Sequence, residues 1–181
     1  MGLASAGAAA LIAGPVLADV DAFDAWPAWA NTEPRRVAFH NLHTGEALDA
    51  VYWENGAYVP DALAAVNYHL RDYRSGDVYP ISPGLLDVLG NLARRVDTRG
   101  PFQVISGYRS AATNAMLRAQ SDGVARSSLH MRGLAIDIRL ADTDLDRLHR
   151  AALGLAAGGV GYYPTSDFVH VDVGRVRRWG G

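Results

Sequence analysis

The chain has 181 residues, 49% of them hydrophobic and 20% charged, with a formal net charge of −2. That size and balance fit one globular domain, exclude a disordered chain and give no electrostatic footprint for a nucleic-acid partner. There is no cysteine, which excludes disulfide staples, thiol catalysis and cysteine-type zinc knuckles, so a zinc site here has to draw on His, Asp or Glu.

Residues 1–18 are almost entirely Ala, Gly, Leu, Ile and Val, with Pro15 near the end. They resemble the apolar and cleavage regions of a secretory signal, although the basic start is missing. The segment is short and carries Gly14-Pro15, so it makes a poor membrane span. The expectation is an exported chain with no stable span after processing. Residues 19–35, with Trp26 and Trp29, read as an extended lead-in, and residues 36–181 as the domain.

From Arg36 the pattern alternates. Val37, Phe39, Asn41 and His43 share one side of a predicted strand, and a second strand returns over Ala47 to Trp53. Asn55-Gly56 is a tight-turn dipeptide before Tyr58-Val59, which completes a β-meander. Pro60-Asp61 opens a predicted helix to about Leu70, with Asp61 near its cap. Asp72 to Asp77 is a polar loop. Ser82-Pro83 opens a second helix, its leucines at helical spacing, which Gly100-Pro101 ends. Phe102 to Gly107 reads as a buried strand, Ala111 to Ala119 as a helix, and 120–132 as a loop. Leu134 to Leu140 is a strand and Asp142 to Ala157 an amphipathic helix that Gly158-Gly159 stops. Val160 to Tyr163 and Phe168 to Val173 read as the last two strands. The closing Arg175, Arg177, Arg178 and Trp179 could touch an anionic glycan strand, but such tails are more often solvated ends. Helices mixed with mainly antiparallel strands define an α+β class.

All 17 basic residues are Arg, and the only glutamates are Glu33, Glu46 and Glu54. Carboxylate chemistry beyond the first third must therefore use Asp. The densest constellation is Ser128-Leu-His130-Met-Arg-Gly133-Leu-Ala135-Ile-Asp137. Asp137 is flanked by isoleucines that face a core, so a buried carboxylate there needs a partner. A metal is the natural one, because zinc accepts imidazole nitrogen and carboxylate oxygen. His170 shares one side of its strand with Asp172 and is the third candidate ligand. Three protein ligands leave one position open, which is the plan of a catalytic zinc site. Each signal has an ordinary alternative: a lone strand His is usually hydrogen-bonded, and Asp137 could ion-pair with Arg139 or Arg109. His40 and His43 are three apart on a strand and face opposite sides. His69 and His149 fall in helices. Gly158-Gly-Val-Gly161 lacks the register of a phosphate loop, and no Gly-x-Ser-x-Gly elbow supports a serine hydrolase.

The Ser-x-His-x-x-Gly-x-Ala-x-Asp spacing with a later strand His is similar to the zinc D-Ala-D-Ala carboxypeptidase and dipeptidase family. The likeness is strongest to its murein endopeptidase K-like branch. Ser106-Gly-Tyr-Arg109-Ser110, Thr113-Asn114, Gly158-Gly-Val-Gly161 and Phe168-Val-His170-Val-Asp172 resemble that branch, as do His43-Thr-Gly-Glu46 and Arg71-Asp72. The resemblance spans about residues 36–179. It implies a small α+β zinc peptidase fold with one zinc held by His130, Asp137 and His170. It places Arg109 beside the metal, where its cationic fork suits a peptide carboxylate or an oxyanion; a bridge to an acid is its ordinary alternative. In the dipeptidases a Glu lies three residues before the last His ligand, where this chain has Asp167. Asp172 is the other candidate, as base or as the acid that orients His170. The implied activity is hydrolysis of peptidoglycan cross-links or stem peptides outside the cytoplasmic membrane. The alternative is a module that grips peptidoglycan peptides on the same scaffold without cutting.

Overall fold

The computed structural model describes residues 33–120 and 125–180. The signal-like segment and nearly all of the lead-in lie outside the described residues. Among those described, eight strands form one sheet and four α-helices accompany it. In chain order these are β1 (Arg35–Asn41), β2 (Ala47–Glu54), β3 (Ala57–Tyr58), α1 (Pro60–His69), α2 (Pro83–Val96), β4 (Phe102–Ser106), α3 (Ala111–Gln120), β5 (Ala135–Arg139), α4 (Leu145–Leu153), β6 (Gly159–Tyr163), β7 (Phe168–Asp172) and β8 (Arg177–Gly180). The strands lie in the order β3-β2-β1-β4-β5-β7-β6-β8. Pairing is antiparallel except for β1 with β4 and β6 with β8. The fold is α+β with a mostly antiparallel sheet, as expected.

Local chemistry sets the turns. Asn55 and Gly56 both adopt positive φ, 53° and 81°, as a type I′ hairpin between β2 and β3 requires. At the end of β1, the Asn41 side chain accepts from the amides of His43 (2.9 Å) and Thr44 (3.2 Å), which bends the chain before His43 can continue the strand.

Helices α1, α2 and α4 begin on prolines or caps and are shorter than predicted. In α1, Pro60 takes the first position and no side chain caps it, so Asp61 lies in the first turn instead of at the cap. α2 stops at Val96, where Asp97 turns left-handed at φ 55°, before Gly100-Pro101 is reached. α4 starts at Leu145 because Asp144 accepts from the Arg147 amide (2.7 Å), while Asp142 is taken by Thr98. It ends at Leu153, well before Gly158-Gly159. The main correction is at the C-terminus. Residues 177–180 are not a solvated tail but an eighth strand, parallel to β6.

Leu85, Leu86, Leu89 and Leu92 on α2 and Leu148 on α4 are fully buried and meet Ile136, Ile138, Val169 and Val171 of the central strands. Burying each such side chain contributes about 1.5–3 kcal/mol. Strand alternation then sends Asp137, His170 and Asp172 to the opposite face of the sheet. The apolar core thus holds one face rigid, and the polar side chains of interest stand on the other.

Candidate metal centre

His130 rides on a single 3₁₀ turn, Leu129–Arg132. Ser128 begins that turn by accepting from the His130 amide (3.3 Å), and Gly133 ends it at φ 64°. A Cβ at Gly133 would also stand 2.1 Å from the Pro80 carbonyl, so glycine is required there twice over. The Arg109 amide donates to the His130 carbonyl (3.3 Å), clipping the two motif-bearing loops together. Asp137 and His170 are direct partners across β5 and β7. This register converts a separation of 33 residues into a contact.

The three side chains meet closely. His130 Nε2 lies 3.1 Å from His170 Nδ1 and 3.2 Å from Asp137 Oδ1, and His170 Nδ1 lies 2.8 Å from the same oxygen. All three residues are buried. Their protons are fixed from behind. His130 Nδ1 donates to the Gly107 carbonyl (2.8 Å), which can only accept, so Nε2 presents a lone pair. His170 Nε2 donates to Asp172 Oδ2 (3.1 Å), so Nδ1 does the same. Two bare nitrogens and a carboxylate oxygen therefore face one point, and a proton on His170 serves only one of the three contacts. A tetrahedral cation with bonds of about 2.0–2.1 Å keeps its donor atoms roughly 3.3 Å apart, so the donor set fits one.

The electrostatics agree. Burial opposes charge on His170, but Asp137 and Asp172 outweigh it and lift the imidazole to about 9, so without a cation a second proton sits on Nδ1 toward Asp137, and a metal ion would take that proton's place. Burial likewise opposes the Asp137 carboxylate, yet the two imidazoles hold it well below the usual range. Asp172 is fully buried and still ionised, because His170, Arg177 (2.7 and 3.1 Å) and the amides of Gly159 (2.9 Å) and Gly174 (2.8 Å) all donate to it. The centre is built to receive positive charge.

A cavity of about 450 Å³ opens above it, lined by Arg109, Ser128, Tyr163, Phe168, Arg177 and Trp179, among others. Arg109 lies 3.7 Å from Asp137 and donates to Ser106 Oγ (3.2 Å). Its Nε is buried without a partner among the described residues. The sequence candidates thus separate. The structure brings His130, Asp137, His170, Arg109 and Asp172 together. Asp167 is flanked by Ser166 and Phe168, both at the cavity, but its own carboxylate turns outward to Arg139 (2.5 Å). Arg177 and Trp179 were missed as components of the site. The available signal was their two-residue alternation behind a glycine-rich strand.

A buried donor set beneath a cavity with a cationic rim is the layout of a metal-dependent hydrolase, here in an α+β scaffold. The family model described as Peptidoglycan L,D-endopeptidase MepK matches residues 29–179. Peptidoglycan L,D-endopeptidase MepK of Escherichia coli K12 is 47% identical over 146 residues, covering 81% of this chain and 80% of its own. The protein of that name in Shigella flexneri matches equally. The probable peptidoglycan L,D-endopeptidase MepK of Haemophilus influenzae is 43% identical over 150 residues, covering 82% of this chain and 81% of its own. The chain belongs to the MepK peptidase family, a metal-dependent group.

Proposed function

We propose that this chain is a zinc peptidase that hydrolyses L,D-configured bonds in peptidoglycan peptides, working in the cell envelope. The substrate comes from the names of its relatives, and the envelope location follows from that substrate. The carrying observation is the convergence of the His130 and His170 lone pairs with Asp137 at about 3 Å. His130, Asp137 and His170 are the ligands we assign. Two nitrogens and one oxygen, buried but facing a cavity, suit zinc. When bound, such an ion supplies a polarised water and an electrophilic partner for the scissile carbonyl.

The chain's own residues do the rest. Arg109 holds the peptide and neutralises the oxyanion as the carbonyl turns tetrahedral, its guanidinium standing at the cavity beside Asp137. Asp172 orients His170 and takes no proton, since its oxygens are saturated by donors. Proton transfer falls to Asp167. Its pair with Arg139 is a surface one, worth about 0–1 kcal/mol, so the carboxylate is cheaply released toward the cavity its neighbours line. It accepts a proton from the attacking water and returns it to the leaving amine.

The test is digestion of cross-linked muropeptides by the purified protein, read by mass spectrometry, with chelator and with zinc restored. Cleavage at an L,D bond that chelator abolishes and zinc restores is the expected result. Cleavage indifferent to chelator, or binding without cleavage, overturns the proposal.

A further inference from the structure

Arg177 and Trp179 occupy the inner face of β8, while Arg178 between them is exposed. Two glycines of the neighbouring strand make room for them. A Cβ at Gly161 would stand 2.7 Å from the Trp179 indole, and one at Gly159 would meet Arg177 Nη1 at 2.4 Å and Asp172 Oδ2 at 2.5 Å. A Cβ at Gly158 would strike the Asp172 carbonyl. The glycine-rich motif is therefore a seat for the last strand. Trp179 is pinned in that seat: its Nε1 donates to Tyr163 Oη (2.7 Å) and its ring lies 5.1 Å from that of His170. The Arg177 guanidinium lies over the indole at 4.8 Å and pairs with both oxygens of Asp172.

We propose that Arg177 is a positioning residue: clamped by Trp179, it fixes the Asp172 carboxylate, which in turn fixes the ring of His170 for metal binding. The inference rests on the assignment of His170 as a ligand. The fork geometry matters as much as the charge. Two prongs on two oxygens set the plane of the carboxylate, and that plane sets where the His170 Nε2 proton and hence the Nδ1 lone pair point. The last strand thereby reaches the centre through two side chains.

The experiment measures zinc affinity by competition with a chromophoric chelator, together with the visible spectrum of the cobalt-substituted protein. Wild type is measured first. Failure of wild type to bind zinc sinks the metal assignment itself and is distinct from failure of this inference. Arg177→Met is expected to weaken zinc binding about 10–100-fold and to shift the cobalt bands, with Arg178→Met as wild type on both readouts. Wild-type affinity and spectrum in Arg177→Met overturn the proposal, even if its thermal stability is lower. Should Arg177→Met not fold, Arg177→Lys decides. It keeps the charge but loses the fork, so an intermediate loss of affinity is expected and wild-type affinity is contrary.

Discussion

At the scale of single residues, two acids with opposite duties stand out. Asp167 is exposed and loosely paired, whereas Asp72 is buried and fixed. Asp167→Asn should lower kcat at least about 100-fold with zinc content unchanged, because a proton acceptor is lost while the ligands stay. A loss below about threefold in steady-state assays would return proton transfer to another group. Asp72 shows how a motif residue serves the site from a distance. Its Oδ2 accepts from the Ser110 amide (2.9 Å), beside Arg109, and its Oδ1 from the Arg74 amide (3.0 Å). Burial opposes its charge, but hydrogen bonds from Thr113, Ser110 and Arg74 prevail and bring it down to about 2. A depressed carboxyl stabilises the fold above its unfolded value near 3.8, and that stability drains away as pH falls toward 2. The contribution is about 2 kcal/mol. Urea titrations of wild type and Asp72→Asn should therefore converge between pH 4 and pH 2. Parallel curves over that range would refute the assignment.

At the scale of elements, glycines carry the sharpest contrast. Gly161 of β6 faces the Trp179 indole, whereas a Cβ at Gly84 in α2 meets only Ser82 Oγ at an ordinary 3.5 Å. Gly161→Ala should cost about 1–3 kcal/mol by overpacking β8. Gly84→Ala should gain about 0.4–1 kcal/mol by restricting the unfolded chain. Denaturant midpoints moving the same way in both variants would contradict this account of the seat. The same strand marks where the sequence stops being legible. Strands β1, β2, β4, β5, β6 and β7 announce themselves through alternation or buried runs, and Asn55-Gly56 names its own turn. β8 does not. It has four residues, two of them Arg, and only the hollow left by Gly159 and Gly161 reveals its inner face. The ends of α4 were equally hidden, since Asp142 and Asp144 are both good cap residues and only tertiary contact with Thr98 decides between them.

At the scale of the whole molecule, the sheet order does the assembling. His130, Asp137 and His170 arrive from a turn and two strands, and pairing of β5 with β7 puts Asp137 against His170. The spacing of the Ser128 to Asp137 motif pointed to these residue types. The register that makes them touch is a property of the folded sheet, as is the Asp172 and Arg177 support behind it. Among the described residues no helix is long and apolar enough to cross a membrane. Zinc held only by the folded chain should also stabilise it, by about 2.7 kcal/mol at a free concentration of 100 Kd. The most direct measurement is an anomalous difference map at the zinc edge from crystals of the zinc-loaded protein. We predict a single strong peak about 2.0–2.2 Å from His130 Nε2, His170 Nδ1 and Asp137 Oδ1. Saturating zinc with no peak among these three atoms would contradict the account.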